Sequence, residues 1–144
     1  MRLKPTIRQD YAYFEEMTTR WRDNDVYGHM NNVVFYEYVD TVVNSWLMKT
    51  NALVIPTGSI IGLVVETTCT YFSEIGFPGI ITAGLKVKKI GNSSIQYEIG
   101  LFSNHENNSA ARIFFTHVCV DAKSRKPVKI PSKLIIALNS IKIG

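Results

Sequence analysis

The stretch from Asn32 to Lys49 constrains the fold of this chain more than any other. Phe35, Val39, Val42, Val43 and Trp46 return at helical spacing, and Val34, Tyr38 and Leu47 widen the same apolar stripe. An ordinary surface helix buries a narrower stripe against a single neighbour. A helix this apolar needs sheet around much of its circumference, so it is predicted to be the axis of the core. Asn31 or Asn32 can cap its first turn, because a short amide side chain accepts from unpaired N–H groups there. The segment NALVIPTGSI then breaks the helix with proline and glycine.

The rest of the chain supplies the sheet. Before the helix, Tyr13 to Trp21 reads as a strand. After it come four β-branched and aromatic runs: Ile61 to Phe72, Ile80 to Ile90, Ser94 to Phe102 and Ala110 to Val120. In the third, Ile95, Tyr97, Ile99 and Leu101 alternate with Ser94, Gln96, Glu98 and Gly100, which sends one face inward. The FPG at Phe77 to Gly79 and the IGNS at Ile90 to Ser93 read as reversals, and SNHENNS as a longer polar connection. Connections this short cannot carry the crossovers of parallel pairing, so the strands pair antiparallel. The tail SKLIIALNSIKIG is either a short helix or a segment lying along an edge. With no repeat or linker, residues 1–144 form one domain of the α+β class.

Composition narrows the function classes. With 46% hydrophobic and 19% charged residues the chain is globular, and its length supports a core without a disulfide or metal staple. Charged residues fall below the usual ~25%, which fits a surface partly covered by another subunit. The net charge of +4 suits anionic ligands, but the basic residues are scattered and no stacking motif accompanies them, so nucleic acid is not an expected partner. Cys69 and Cys119 read as free thiols in a reducing compartment. No secretory leader and no apolar run of about 20 residues is present, so a cytoplasmic protein without membrane insertion is expected.

The chemistry gathers in RWRDNDVYGHMNN, which sets Asp23, Asp25 and His29 immediately before the apolar helix. A helix start offers unpaired N–H groups and partial positive charge, both suited to a carbonyl oxygen that is becoming an oxyanion. Asp25 beside it can attack or activate water. It can equally cap a turn through nearby backbone N–H groups. His29 divides between positioning in a site and local hydrogen bonding, and Asp23 reads as structural, paired with Arg20 or Arg22.

DNDVYGHMNNVVFYEYVD resembles the N-terminal signature of the 4-hydroxybenzoyl-CoA thioesterase-like family of hotdog proteins. The likeness continues through the Tyr71 region, VKKIGNSSIQYEIGLF and FFTHVCVDAKSRKPVKIP. It implies a hotdog fold, an antiparallel β-sheet wrapped around a long central α-helix. Two such subunits join edge to edge as a homodimer, the choice between dimer and homotetramer staying open, and acyl-thioester sites lie between subunits. The implied activity is hydrolysis of an acyl-CoA to a carboxylic acid and free coenzyme A, with the thioester as substrate and neither cofactor nor metal.

Carried over by position, Asp25 matches the catalytic aspartate, acting as nucleophile or general base. Asn32 matches the helix-start residue whose backbone N–H polarises the carbonyl. Gly28 lets the chain pass close to substrate, and His29 and Asn31 fit a GHxNN branch in which Asn31 also caps the helix. The hydroxybenzoyl branch carries aromatic residues where this chain has Met30, Asn31 and Asn32, which leaves the acyl group open. Tyr71, Ser93 and Ser94 are further candidates for substrate contact, and Lys123, Arg125, Lys126 and Lys129 for the coenzyme A phosphates. Strand alternation puts Glu66 and Tyr71 on opposite faces, and Lys86 with Lys88 on one face and Lys89 on the other, unless a bulge intervenes. His105 and His117 have no neighbouring ligand series for zinc. A catalytically silent acyl-thioester binding module and an acyl-carrier-protein thioesterase are the alternatives.

Overall fold

The structure is a computed structural model that describes residues 2–143. Along the chain run β1 (Tyr13–Thr18), α1 (Asn32–Lys49), β2 (Ile60–Tyr71), β3 (Ile80–Ile90), β4 (Ser94–Ser103), β5 (Ala111–Asp121) and α2 (Ser132–Ser140). The five strands form one sheet in the order β1-β3-β4-β5-β2, every neighbouring pair antiparallel. This is the hotdog arrangement expected from the sequence, with one long helix against the sheet.

Odd-numbered residues of β3, β4 and β5, among them Leu85, Ile99 and Ile113, are buried in one cluster with Val39, Val42, Val43 and Trp46 of α1. The apolar stripe of α1 therefore faces the sheet, as its width requires. Asn31 caps α1, its Oδ1 accepting from the Val33 N–H at 3.0 Å. The tail resolves as helix: α2 begins after Pro131 and sinks Leu134 and Leu138 into the same core. Its end is tied to β3, where the Val87 N–H donates to the Ile141 carbonyl at 3.0 Å.

The other face of the sheet is covered by the N-terminal segment. The Tyr11 ring lies over Gly84 and Gly100; a Cβ on Gly100 would sit 2.7 Å from it, so the close approach requires glycine there. Beside it Glu98, fully buried, accepts from the Arg112 Nε at 3.0 Å and from the Tyr11 hydroxyl at 3.2 Å. A buried carboxylate is tolerated here because it is paired and hydrogen-bonded.

Two features depart from the sequence expectation. The first strand stops at Thr18 instead of Trp21, because Asp23 captures the Arg20 N–H at 2.8 Å and closes a 3-10 turn over Trp21–Asp23. In β3 the register shifts between Val87 and Lys89, so Lys86 opposes Glu98 and Lys89 opposes Gln96. The bulge thus puts Lys86 and Lys89 on one face, where unbroken alternation pairs Lys86 with Lys88.

Strand β2 lies at an edge of the sheet and is long for an edge strand. Its middle is exposed, with Val64 at 48% and Val65 at 59% of their accessible surface. Such an edge offers unpaired backbone groups to another strand.

Candidate active site

The loop before α1 folds back on itself. Asn24 bridges Met30, the Asp25 N–H donates to the His29 carbonyl at 2.8 Å, and the Gly28 N–H donates to the Asp25 carbonyl at 3.2 Å. Gly28 holds φ at +87°, a conformation L side chains rarely adopt, so the reversal depends on glycine. The Asn31 N–H donates to the Asp23 carbonyl at 2.8 Å and the Met30 N–H to the Ile75 carbonyl at 2.6 Å. The helix start is thereby fixed against both the preceding turn and the segment after β2.

Asp23 is the buried anchor of this loop. Its carboxylate accepts from the Tyr38 hydroxyl, from the Arg20 backbone and from the Arg20 guanidinium, with an Arg20 nitrogen at 2.9 Å. Burial pushes its carboxyl up, but the hydrogen bonds from Tyr38 and Arg20 outweigh this and hold it below the usual carboxylate range. Burial first, and its hydrogen bond to Asp23 second, raise the Tyr38 phenol to about 12. Asp23 pairs with Arg20, one of the two partners expected.

A cavity of about 400 Å³ opens beside this loop and is lined by Asp25, His29, Met30, Asn32, Phe35, Tyr71, Phe72, Ser73, Glu74 and Ile75. Asp25 uses Oδ1 to accept from the Tyr27 N–H at 2.8 Å, so it does close a local turn. Its Oδ2 makes no hydrogen bond among the described residues and lies 4.0 Å from His29 Nδ1. The other nitrogen, Nε2, is 3.6 Å from Glu74 Oε1, which sets the imidazole between two carboxyl groups. Tyr71 stands edge-on to Phe35 with ring centroids 4.9 Å apart, and its hydroxyl donates to the Asn32 carbonyl at 3.1 Å. Burial and the nearby Cys69 and Tyr36 push the Tyr71 phenol up, so it remains a donor.

The start of α1 completes the cavity. Val34 N–H is taken by the Asn31 carbonyl and Val33 N–H by the Asn31 side chain. The Asn32 N–H has no partner among the described residues, and Asn32 lines the cavity. An unpaired N–H at the positive end of a helix suits an oxygen that is gaining charge.

Asp25, His29, Asn32 and Tyr71 are thus brought together, while Gly28 and Asn31 shape the loop and the cap. Glu66 opposes Thr116 on the outer face and Tyr71 opposes Ala111 on the helix face, so the two point apart. Ser93, in the turn before β4, and Ser94, the first residue of β4, lie at the other end of the sheet, where Ser94 opposes Val118. The basic run of Lys123, Arg125, Lys126 and Lys129 follows β5 at that same far end, where Asp121 opposes Ile60. Glu74 was not singled out from the sequence; its only signal is its place in the segment leaving β2 just beyond Tyr71. Among the described residues no group of three His, Cys, Asp or Glu side chains is arranged to hold a metal ion. No described helix is long and apolar enough to cross a membrane.

Comparison with known proteins agrees with this architecture. The crystal structure of the PA5185 protein from Pseudomonas aeruginosa strain PAO1 is 43% identical, covers 96% of both chains and superposes with a TM-score of 0.93. Slr0204 of Synechocystis, a 1,4-dihydroxy-2-naphthoyl-CoA thioesterase, shares the fold at 17% identity, covering 88% of this chain and 95% of its own, with a TM-score of 0.80. The uncharacterized protein YsmA of Bacillus subtilis (strain 168) is 24% identical over 88 residues; the match takes in 61% of this chain and 59% of that protein, under two thirds of its length. The family model of the thioesterase-like superfamily matches residues 19–138. The fold, the loop before the helix and a match over most of the chain agree: this protein belongs to the thioesterase-like superfamily.

Proposed function

We propose that the protein hydrolyses an acyl-CoA thioester to a carboxylic acid and free coenzyme A at the cavity beside the start of α1. The observation that carries this reading is the pairing, in one cavity, of the unpartnered Asn32 N–H with the unbonded Oδ2 of Asp25. The thioester carbonyl oxygen accepts from the Asn32 N–H, which draws electron density from the carbonyl carbon. Asp25 then adds to that carbon or removes a proton from water that adds to it. Collapse of the tetrahedral intermediate breaks the C–S bond, and the thiolate leaves with the electron pair and takes up a proton; where Asp25 itself has added, water then hydrolyses the resulting mixed anhydride, releasing the carboxylic acid and restoring Asp25. His29, between Asp25 and Glu74, orients the carboxylate or the water, and Tyr71 holds the end of β2 against the helix start.

The exposed edge of β2 supports an edge-to-edge homodimer, which can assemble further into a tetramer. Antiparallel pairing of two β2 strands sets the Tyr71 end of one against the Ile60 end of the other. The partner's basic turn at Lys123, Arg125, Lys126 and Lys129, and its Ser93 and Ser94, are then carried toward the cavity from the far end of its own sheet. In this dimer they serve the phosphates and the outer parts of coenzyme A.

The test is thiol release from acyl-CoAs of graded chain length by the wild type and the Asp25→Asn protein, matched for folding and assembly. The expected outcome is turnover that falls by about 10²–10⁴ in the variant. Equal rates in the two proteins overturn the role of Asp25. Binding without turnover in the wild type makes the chain a silent acyl-thioester module, and turnover of carrier-linked thioesters alone makes the substrate an acyl-carrier protein.

A further inference from the structure

A second cavity, of about 220 Å³, lies between the C-terminal half of α1, the start of β2 and the loop that includes Leu53, Val54 and Ile55. Its walls are aliphatic apart from two polar side chains, His117 of β5 and Asn44 of α1. It is larger than the ~150 Å³ apolar cavity that accepts benzene.

His117 is only 4% exposed, yet its imidazole makes no hydrogen bond among the described residues. One edge of the ring lies against Gly62, where a Cβ would come within 2.9 Å of Nδ1, so glycine is what gives the ring room. Tyr97 of β4 packs edge-on to it, with centroids 5.8 Å apart, and Asp40 of α1 presents its charge from the helix side. Asn44 donates through Nδ2 to the Asp40 carbonyl at 2.9 Å and to its Oδ1 at 3.1 Å, which leaves the Asn44 carbonyl oxygen without a partner among the described residues. The buried imidazole faces this aliphatic cavity without a hydrogen-bond partner among the described residues, and the half-buried Asn44 lines the same cavity, so a ligand there can satisfy both.

We propose that this cavity receives the distal end of an aliphatic acyl chain and that His117 and Asn44 hydrogen-bond a hydroxyl carried there. A neutral imidazole offers one donor and one acceptor, and the Asn44 oxygen adds an acceptor, which matches a hydroxyl group. A carboxylate fits poorly, since the Asp40 charge faces the same ring. The aliphatic walls offer no flat aromatic face for stacking a ring. Within one protomer the cavity is about 18 Å along the helix from Asn32. Edge-to-edge pairing of β2 strands brings the partner's copy of it next to the Asn32 cavity, so the chain of a thioester held by one protomer ends at the partner's His117. The proposal rests on the acyl-thioester reading of the first cavity.

The test compares ω-hydroxyalkanoic acids with plain alkanoic acids of the same graded lengths, using calorimetry on the wild-type, His117→Leu and His117→Gln proteins. The corresponding acyl-CoAs are compared by kcat/KM. At one chain length the hydroxylated probe is expected to be favoured about tenfold by the wild type, a preference lost with leucine and partly kept with glutamine. No hydroxyl preference at any length, or a preference unchanged in His117→Leu, overturns the proposal. If the leucine variant fails to fold, Asn44→Ala supplies the same comparison. Hydroxyl preference in binding without turnover of any acyl-CoA sinks the hydrolase reading alone, whereas turnover without hydroxyl preference sinks this proposal alone.

Discussion

The hydroxyl of Tyr71 donates to the carbonyl oxygen of Asn32 at 3.1 Å, tying the last residue of the edge strand to the first residue of the central helix. The bond crosses the cavity that both residues line, so the distance between strand end and helix start is set by a side chain. Removing the hydroxyl loosens the wall without emptying the site. In Tyr71→Phe, kcat/KM for the preferred thioester is expected to fall about tenfold, equivalent to about 1.4 kcal/mol of lost hydrogen bonding. Global stability, read from denaturant midpoints, is expected to change by no more than that amount. An unchanged kcat/KM removes Tyr71 from the site.

Asp23 fixes the loop before α1 from beneath. Asp23→Asn keeps the shape but loses charge-assisted bonds from Arg20 and Tyr38, so a destabilisation of about 1.5–3 kcal/mol is expected at neutral pH. The sign with pH follows from the lowered carboxyl. The wild-type advantage is complete above the unfolded carboxylate range and is lost as pH falls through the lower folded value. Urea midpoints of the two proteins should therefore converge in acid. A constant gap at all pH values contradicts the assigned ionisation.

His117 acts in the same direction but over a higher pH window. Burial, partly opposed by the Asp40 charge, lowers its imidazole from the ordinary 6.5 to about 4. Between those values the unfolded chain binds more protons than the native one, so stability falls as pH drops from about 6.5 toward about 4. At about 1.4 kcal/mol per unit the full loss is about 3 kcal/mol. His117→Leu should abolish this slope while leaving the acid limb due to Asp23. Denaturant melts between neutral pH and mild acid check this, and an identical slope in the variant excludes His117 as its source.

The sequence by itself determined the helix, the class and the candidate loop before the helix. The apolar stripe of Phe35, Val39, Val42, Val43 and Trp46 is too wide for any partner but a sheet, and the alternation in Ser94 to Phe102 fixes which side of that strand meets it. Asp25, Gly28 and His29 are legible because they crowd the start of one strong helix. The role of Glu74 was not legible, since its neighbours in sequence say nothing of His29; the Met30–Ile75 and Asn24–Phe77 bonds bring the two segments together.

What only the tertiary structure decided is clearest in β2. Strand alternation alone separates Gly62 and Tyr71 onto opposite faces. The register shift between Val64 and Glu66 inserts one residue, so Gly62 and Tyr71 both face the helix. Gly62 thereby gives His117 its space at one end of the strand, while Tyr71 closes on Asn32 at the other. A bulge depends on the partner strand and on packing across the sheet, which are long-range terms. Local periodicity carries no trace of them, and so the two cavities on one side of a single strand belong to the fold.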